Sequence, residues 1–302
     1  MSQKISLSLL LAGPLIASIE VILANWLMKR GIDPIFFTFL SLLFAGIILA
    51  PFHLKELVAS FSKGGRALKI LIAVFVFRAA GDFLFFFAQK YSSPINYSFL
   101  SQFAVVFTAI IAYFALSERL TFREILFGLV MVVGAGIIVT GGRLDAPSAG
   151  DLLTLLFAFF VAAASILLKV GEKAGMSYNS YLVGGMFFSA AAGLVLIPFY
   201  GRVPANLAEV SLYALIEAVL IVALTKIVLI LIERIGPSKT NLVFILSAVF
   251  TPLISAAVLS EIIRAHQLFG GGILVAGAVL FFREEGRVLK KELERAKGKK
   301  KK

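Results

Sequence analysis

Val106-Phe107-Thr108, Ile111 and Leu116-Ser117-Glu118 are met again 143 residues later as Val249-Phe250-Thr251, Ile254 and Leu259-Ser260-Glu261. The same shift lays Pro94 on Pro237, Gly128 on Gly271, Val132 on Val275 and Gly134 on Gly277 without a gap. Apolar segments share scattered Leu and Val by chance. They do not share a Ser-Glu doublet, a helix-opening proline and two glycines at one offset. Earlier in the chain Gly46 and Pro51-Phe52 fall on Gly193 and Pro198-Phe199 at a shift of 147. The sequence is therefore two copies of one unit.

What the unit is made of follows from composition. Of 302 residues 60% are apolar and 15% charged, with a mean hydropathy of +0.99. Soluble domains carry about 25% charge, so a soluble enzyme, a disordered chain and a secreted disulfide scaffold are excluded. The apolar runs are about 20 residues long, as a bilayer-crossing helix requires, and lack the ten-residue alternation of a membrane β-barrel. Reading them between charged or Pro/Gly-containing breaks predicts ten spans, at 5–28, 35–52, 69–87, 95–116, 123–141, 151–170, 180–200, 211–232, 238–260 and 267–283. The expected fold is an all-α polytopic membrane protein of ten transmembrane helices. Its units are 1–143, 144–284 and a basic tail over 285–302. Five spans per copy is an odd number, so the copies sit inverted in the membrane, the plan of secondary transporters that open one central site to either side in turn.

Sidedness follows from charge. With both termini cytoplasmic, the inner segments outside the tail hold eleven Lys and Arg and the outer loops six, the bias of the positive-inside rule. Ten more basic residues lie in Arg283–Lys302. The net charge of +12 thus belongs to topology and to a lipid-flanking tail, not to a nucleic-acid groove. With no cysteine, disulfides, thiolate ligands and a cysteine nucleophile are excluded. His53 and His266, both predicted in loops, offer no metal site or intramembrane relay. No cofactor is expected.

Leu116-Ser117-Glu118-Arg119-Leu120-Thr121 followed by Gly128 and Gly134, and Leu259-Ser260-Glu261 followed by Gly270-Gly271-Gly272 and Gly277, make the chain resemble the EamA-like branch of the drug/metabolite transporter superfamily. The resemblance spans nearly the whole chain and is most specific over 94–141 and 237–283. It implies a ten-helix monomer in the cytoplasmic membrane that moves small polar or amphipathic metabolites, often outward.

Five charges lie well inside spans, where each costs about 2.5–3.5 kcal/mol even on permissive insertion scales: Glu20, Arg78, Asp82, Glu217 and Lys226. They are cavity candidates. Arg78 and Asp82, four apart, can pair on one helix face, as a structural pair or as a substrate contact. Glu217 and Lys226 are nine apart and point to opposite sides of their helix; the lysine can also snorkel to the cytoplasmic headgroups. Glu20 has Ala163 as its repeat counterpart. It is similar to the proton and cation site of the four-helix small multidrug resistance relatives, which makes it the proton-coupling candidate; the other reading is a packing carboxyl bonded to Asn25 or a neighbouring helix. Ser98, Ser101, Gln102 and Thr108 form a polar stripe in the fourth span, answered in the ninth by Thr240, Asn241, Ser247, Thr251 and Ser255. Such stripes line cavities or glue helices together. Pro252 has Ala109 as its counterpart and is a hinge candidate. Glu118 and Glu261 end the fourth helix of each copy, as gate contacts or as plain helix-end charges.

The resulting expectation is a secondary transporter of small metabolites such as amino acids or other zwitterions, because the buried charges include both signs. A nucleotide-sugar or sugar-phosphate exchanger would ask for more buried cations. An intramembrane enzyme would need an HExxH pair, paired intramembrane aspartates or a serine with a base, and none of these constellations is present in the sequence.

Overall fold

The computed structural model describes residues 7–62, 64–116, 121–141, 148–235, 240 and 243–299, and all regular structure among them is helical. The helices are α1 (Leu7–Lys29), α2 (Pro34–Phe61), α3 (Gly65–Tyr91), α4 (Pro94–Leu100), α5 (Ala104–Leu116), α6 (Phe122–Thr140), α7 (Ala149–Lys173), α8 (Tyr178–Tyr200), α9 (Leu207–Ile235), α10 (Ser247–Leu259) and α11 (Ala265–Lys299). Among the described residues seven segments are long and apolar enough to cross a membrane: α1, α2, α3, the α4–α5 stretch, α7, α8 and α9. Shorter apolar helices, 125–138, 247–259 and 265–281, occupy the fifth, ninth and tenth expected positions.

Local chemistry sets several starts. Asp33 accepts from the Phe36 amide at 2.9 Å and Ser93 from the Asn96 amide at 3.1 Å, each with proline in the first turn behind it. Ser148 and Ser177 cap α7 and α8 in the same way. A capping oxygen satisfies an amide that has no partner within its helix, and proline there gives up no hydrogen bond.

Several boundaries depart from the sequence reading, among them the tenth span, expected to end at 283, whose helix α11 runs on to Lys299. The second span, expected to end at 52, continues through Pro51 to Phe61. Proline removes one helical hydrogen bond, but the next turns still bury Leu57 and Ser60. His53 is consequently helical and not in a loop, and His266 lies in the first turn of α11. The fourth span is also not one helix, since a 3-10 turn at Ser101–Phe103 separates α4 from α5. The ninth breaks at the equivalent place, with Val243-Phe244 helical, a turn at Ile245-Leu246 and α10 starting at Ser247. Ser98, Ser101 and Ser247 each donate a side-chain hydrogen bond to the carbonyl three residues back, at 2.9, 3.2 and 2.7 Å. Such back-bonding competes with the helical ladder and bends it.

Packing respects exchange of the two copies. α2 lies against α8, and α6 against α11, each pair mapping onto itself. α3 against α8 is matched by α9 against α2, and α5 against α7 by α10 against α1. Other matches are unequal: α3 and α7 meet extensively, whereas α1 and α9 meet much less, and the contacts of α3 with α1 and α2 have no comparable counterpart of α9 with α7 and α8. We call the bundle end holding Lys29, Tyr91 and Ala149 distal, and the end holding Phe61 and Lys173 terminal. At the distal end a Cβ on Gly150 would stand 2.3 Å from the Ser92 nitrogen and the Tyr91 carbonyl carbon, so glycine is what lets α7 touch the end of α3.

The buried core is apolar, and so is much of the outer surface, where Phe52, Phe114, Leu129, Val195 and Phe199 are largely exposed. In water such a surface would be an aggregation hazard; against lipid it is the natural outer layer.

Candidate functional site

A cavity of about 400 Å³ lies between α1, α3, the broken fourth span, α7, α9 and the broken ninth. Eight of the residues singled out from sequence line it: Glu20, Arg78, Asp82, Ser98, Ser101, Gln102, Ser247 and Thr251. The helix breaks explain part of this convergence. Around the two breaks the α4–α5 and α10 segments turn toward each other, and Gln102 Nε2 reaches Ser247 Oγ at 3.5 Å while also donating to the Ser98 carbonyl at 3.2 Å. Thr251 donates to Ser18 of α1 at 3.0 Å, and Ser18 in turn to the carbonyl of Pro14 at 2.9 Å.

Arg78 and Asp82 pair one turn apart, Nε to Oδ2 at 3.3 Å. What holds them was not foreseen. Ser189 donates to the same Asp82 oxygen at 2.7 Å, and the Arg78 guanidinium lies over the Tyr181 ring, 5.2 Å from its centre. A Cβ on Gly185 would come within 2.7 Å of Arg78 Cδ. Tyr181, Gly185 and Ser189 are spaced by four, so one stripe of α8 seats the ion pair. That i, i+4, i+8 spacing was legible but carries no charge to draw attention. Tyr97, Phe157 and Phe244 add aromatic wall, which favours cationic and aromatic groups.

Other expected site residues lie elsewhere. Lys226 Nζ meets His53 Nε2 at the terminal end and is not among the lining residues; the helical course of α2 past Pro51 is what brings His53 there. Glu56 of the same segment accepts from Ser177 and Asn179, joining α2 to the start of α8. Thr108, below the break, does not line the cavity, nor does Glu217, which is fully buried in α9. Asn25 donates to the carbonyls of Gln89 and Ser92 at 2.7 and 3.1 Å, which closes the distal end and leaves it no donor for Glu20. Glu261 is bonded by Ser255 of its own copy, beyond a left-handed Ser260 (φ 55°) that turns the chain. This geometry suits a helix-end charge. Pro252 is buried inside α10. Glu118 and Asn241 lie outside the described residues.

At the distal end a second cavity, about 610 Å³, is bordered by Asn25, Lys29, Arg30, Asn96, Asp151 and Glu261 among others. Asp151 is its hub. It accepts from Ser92 at 3.2 Å, Asn96 at 3.0 Å and Ser148 at 2.6 Å, and Gln267 of α11 donates to Asn96 at 2.7 Å. Thus α3, α4, α7 and α11 are tied together over the distal mouth. No group of three or more His, Cys, Asp or Glu that could hold a metal ion occurs among the described residues.

The chain is similar to known proteins in sequence and in fold. The model of the EamA-like transporter family matches residues 4–140 and 148–283, one match per copy. An uncharacterized transporter of Bacillus subtilis (strain 168), YyaM, is 25% identical over 223 residues, 69% of this chain and 70% of that protein. A solved structure described only as the crystal structure of a protein superposes with a TM-score of 0.54 at 15% identity, over 94% of this chain and 99% of the other, a likeness of fold alone.

Proposed function

The chain belongs to the EamA-like transporter family and is a membrane transporter, and on that premise we propose that it exports small zwitterionic metabolites, amino acids foremost, by alternating access about the cavity. In this reading ten helices cross the cytoplasmic membrane as two inverted copies, the protein works as a monomer, and both termini are cytoplasmic, so the distal end faces outward. The observation that carries it is the cavity's charge: Glu20 stands with the Arg78–Asp82 pair among aromatic rings. A substrate ammonium finds carboxylates, its carboxylate finds a guanidinium, and its side chain finds apolar wall. Glu20 is the coupling group in this proposal, since a carboxyl facing the cavity can exchange a proton for the substrate amine. A nucleotide-sugar or sugar-phosphate exchanger would call on cations for its phosphates, and the second in-span cation, Lys226, is turned to His53.

The test is a thermal-shift screen of amino acids and sugar nucleotides on purified protein, since a ligand that binds only the folded state stabilises it, followed by flux of the hits in proteoliposomes. Amino acids should stabilise and move. Arg78→Gln and Asp82→Asn should each abolish flux while the protein stays folded. Wild-type flux in both variants would place the site elsewhere. Substrate-dependent pH change that survives Glu20→Gln would sink the coupling role.

A further inference from the structure

Among the described residues Glu217 is the most deeply buried of charged type outside the cavity lining. Its exposure is zero, and neither carboxyl oxygen receives a hydrogen bond among the described residues. Its depth is not arbitrary. Glu20 lies nine residues before the distal end of α1, Asp82 nine before the distal end of α3, and Glu217 ten after the distal start of α9. At about 1.5 Å per residue all three sit roughly 14–15 Å below the distal helix ends. Three carboxyls therefore share one level, and Arg78 pairs with only one of them, Asp82.

The face of α9 that carries Glu217 is known from its neighbours. Ala214 belongs to the buried cluster that holds Val21, Ala24 and Leu40, Ala218 and Ile221 belong to the one that holds Leu42 and Ala45, and α9 meets both α1 and α2. This is the side toward α1 and α2. From α1 the titratable group at that level is Glu20; α2 has none between Pro34 and Pro51. Within α9 the flanking charges are Glu209 and Lys226, more than two turns away, and Lys226 is engaged by His53. Arg78 and Asp82 lie across the cavity on α3. An ionised carboxylate stripped of both water and donors is the costlier form; a neutral acid needs an acceptor for its one O–H.

We propose that Glu217 is the second carboxyl of the coupling site, held as the neutral acid behind the cavity wall with its O–H directed toward Glu20. The inference rests on the coupling role proposed for Glu20. With a substrate ammonium in the cavity, Glu20 is ionised and Glu217 keeps its proton, bonded toward it. When the amine leaves, Glu20 takes one proton from water. One proton exchanges per amine, and Glu217 is a positioning residue that steadies the ionised state of Glu20.

Absolute infrared spectra of the full-length protein in lipid, recorded over a series of pH values around neutral, read this directly through the C=O stretch of protonated carboxyls. The wild type should show one carboxyl band that persists at neutral pH and one that titrates, with Asp82→Asn identifying any share from Asp82. Glu217→Gln should abolish the persistent band and shift the pH at which the titrating band is lost. Glu20→Gln should abolish the titrating band and displace the persistent one. A persistent band unchanged in Glu217→Gln, or a Glu20 titration that does not move, overturns the proposal. If Glu217→Gln fails to fold, the Glu20→Gln spectrum still decides: an unmoved persistent band refutes the pairing. These spectra need no transported substrate, so their outcome is separable from that of the flux assay.

Discussion

Replacing Gly150 with alanine should unlatch the distal end. The added Cβ would stand 2.3 Å from the Ser92 nitrogen and the Tyr91 carbonyl carbon, and 2.4 Å from the Tyr91 oxygen. These are backbone atoms and cannot rotate aside, so α7 and α3 must part by about 1 Å to reach ordinary contact. Overpacking of this kind costs about 1–3 kcal/mol. The movement also stretches the bond from Ser92 to Asp151, 3.2 Å in the closed form, and a hydrogen bond to a carboxylate contributes about 1.5–3 kcal/mol. With partial relaxation the closed form should lose about 3 kcal/mol, close to a hundredfold in the opening equilibrium at about 1.4 kcal/mol per tenfold. Because the chain has no cysteine, one reporter can be introduced cleanly. Ala88 of α3 is fully buried, in a cluster against which Leu153 and Phe157 of α7 pack. The maleimide reaction of Ala88→Cys should be slow in the parent and about a hundredfold faster with Gly150→Ala. Equal rates in the two proteins would mean that the α3–α7 contact does not close the distal end, and the latch reasoning would fall.

Two further outcomes follow from the packing. In the α6–α11 contact a Cβ on Gly134 would lie 2.7 Å from the Gly270 carbonyl oxygen and the Leu274 nitrogen, whereas one on Gly136 meets nothing within 4 Å. In thermal unfolding Gly134→Ala should lose about 2 kcal/mol and Gly136→Ala gain up to about 1 kcal/mol from helix propensity; equal effects would contradict the packing. Pro252→Ala restores a hydrogen bond inside α10, so stability should rise by about 1–3 kcal/mol while flux slows. Unchanged flux would remove Pro252 as a hinge.

Much of the candidate site was legible because charge and hydroxyl groups are rare in these spans. Glu20, Arg78 and Asp82 stand out against 60% apolar sequence, and burying a charge costs enough to mark it. The parts that were not legible are of two kinds. Tyr181, Gly185 and Ser189 of α8 are ordinary membrane-helix residues, and only their contact with Arg78 and Asp82 gives them a role. The helix breaks at Ser101–Phe103 and Ile245-Leu246 carry neither proline nor glycine at the turn; they arise from serine side chains bonding backward, an option that tertiary packing selects. Conversely, Lys226 and Thr108 looked like cavity residues by span position, yet the course of α2 and the break in the fourth span turn them elsewhere.

Sequence by itself determined the membrane, the helices and the doubling, because hydropathy, cap residues and a gap-free repeat are properties of order along one chain. It also supplied the count of buried charges. Which of those charges meet was decided only in three dimensions. Glu20, Asp82 and Glu217 come to one level because their helices happen to have similar distal lengths, and Asp82 adds a serine donor from α8 to its Arg78 partner on the same helix, while Glu217 receives no hydrogen bond among the described residues. Likewise the repeat predicts equal seams between α3 and α7 and between α1 and α9, but the bundle makes them unequal. The α3–α7 seam is the tight one because its distal end sets Gly150 against the backbone of Tyr91 and Ser92 and bonds Ser92 to Asp151, contacts between residues far apart in sequence that only the folded bundle brings together.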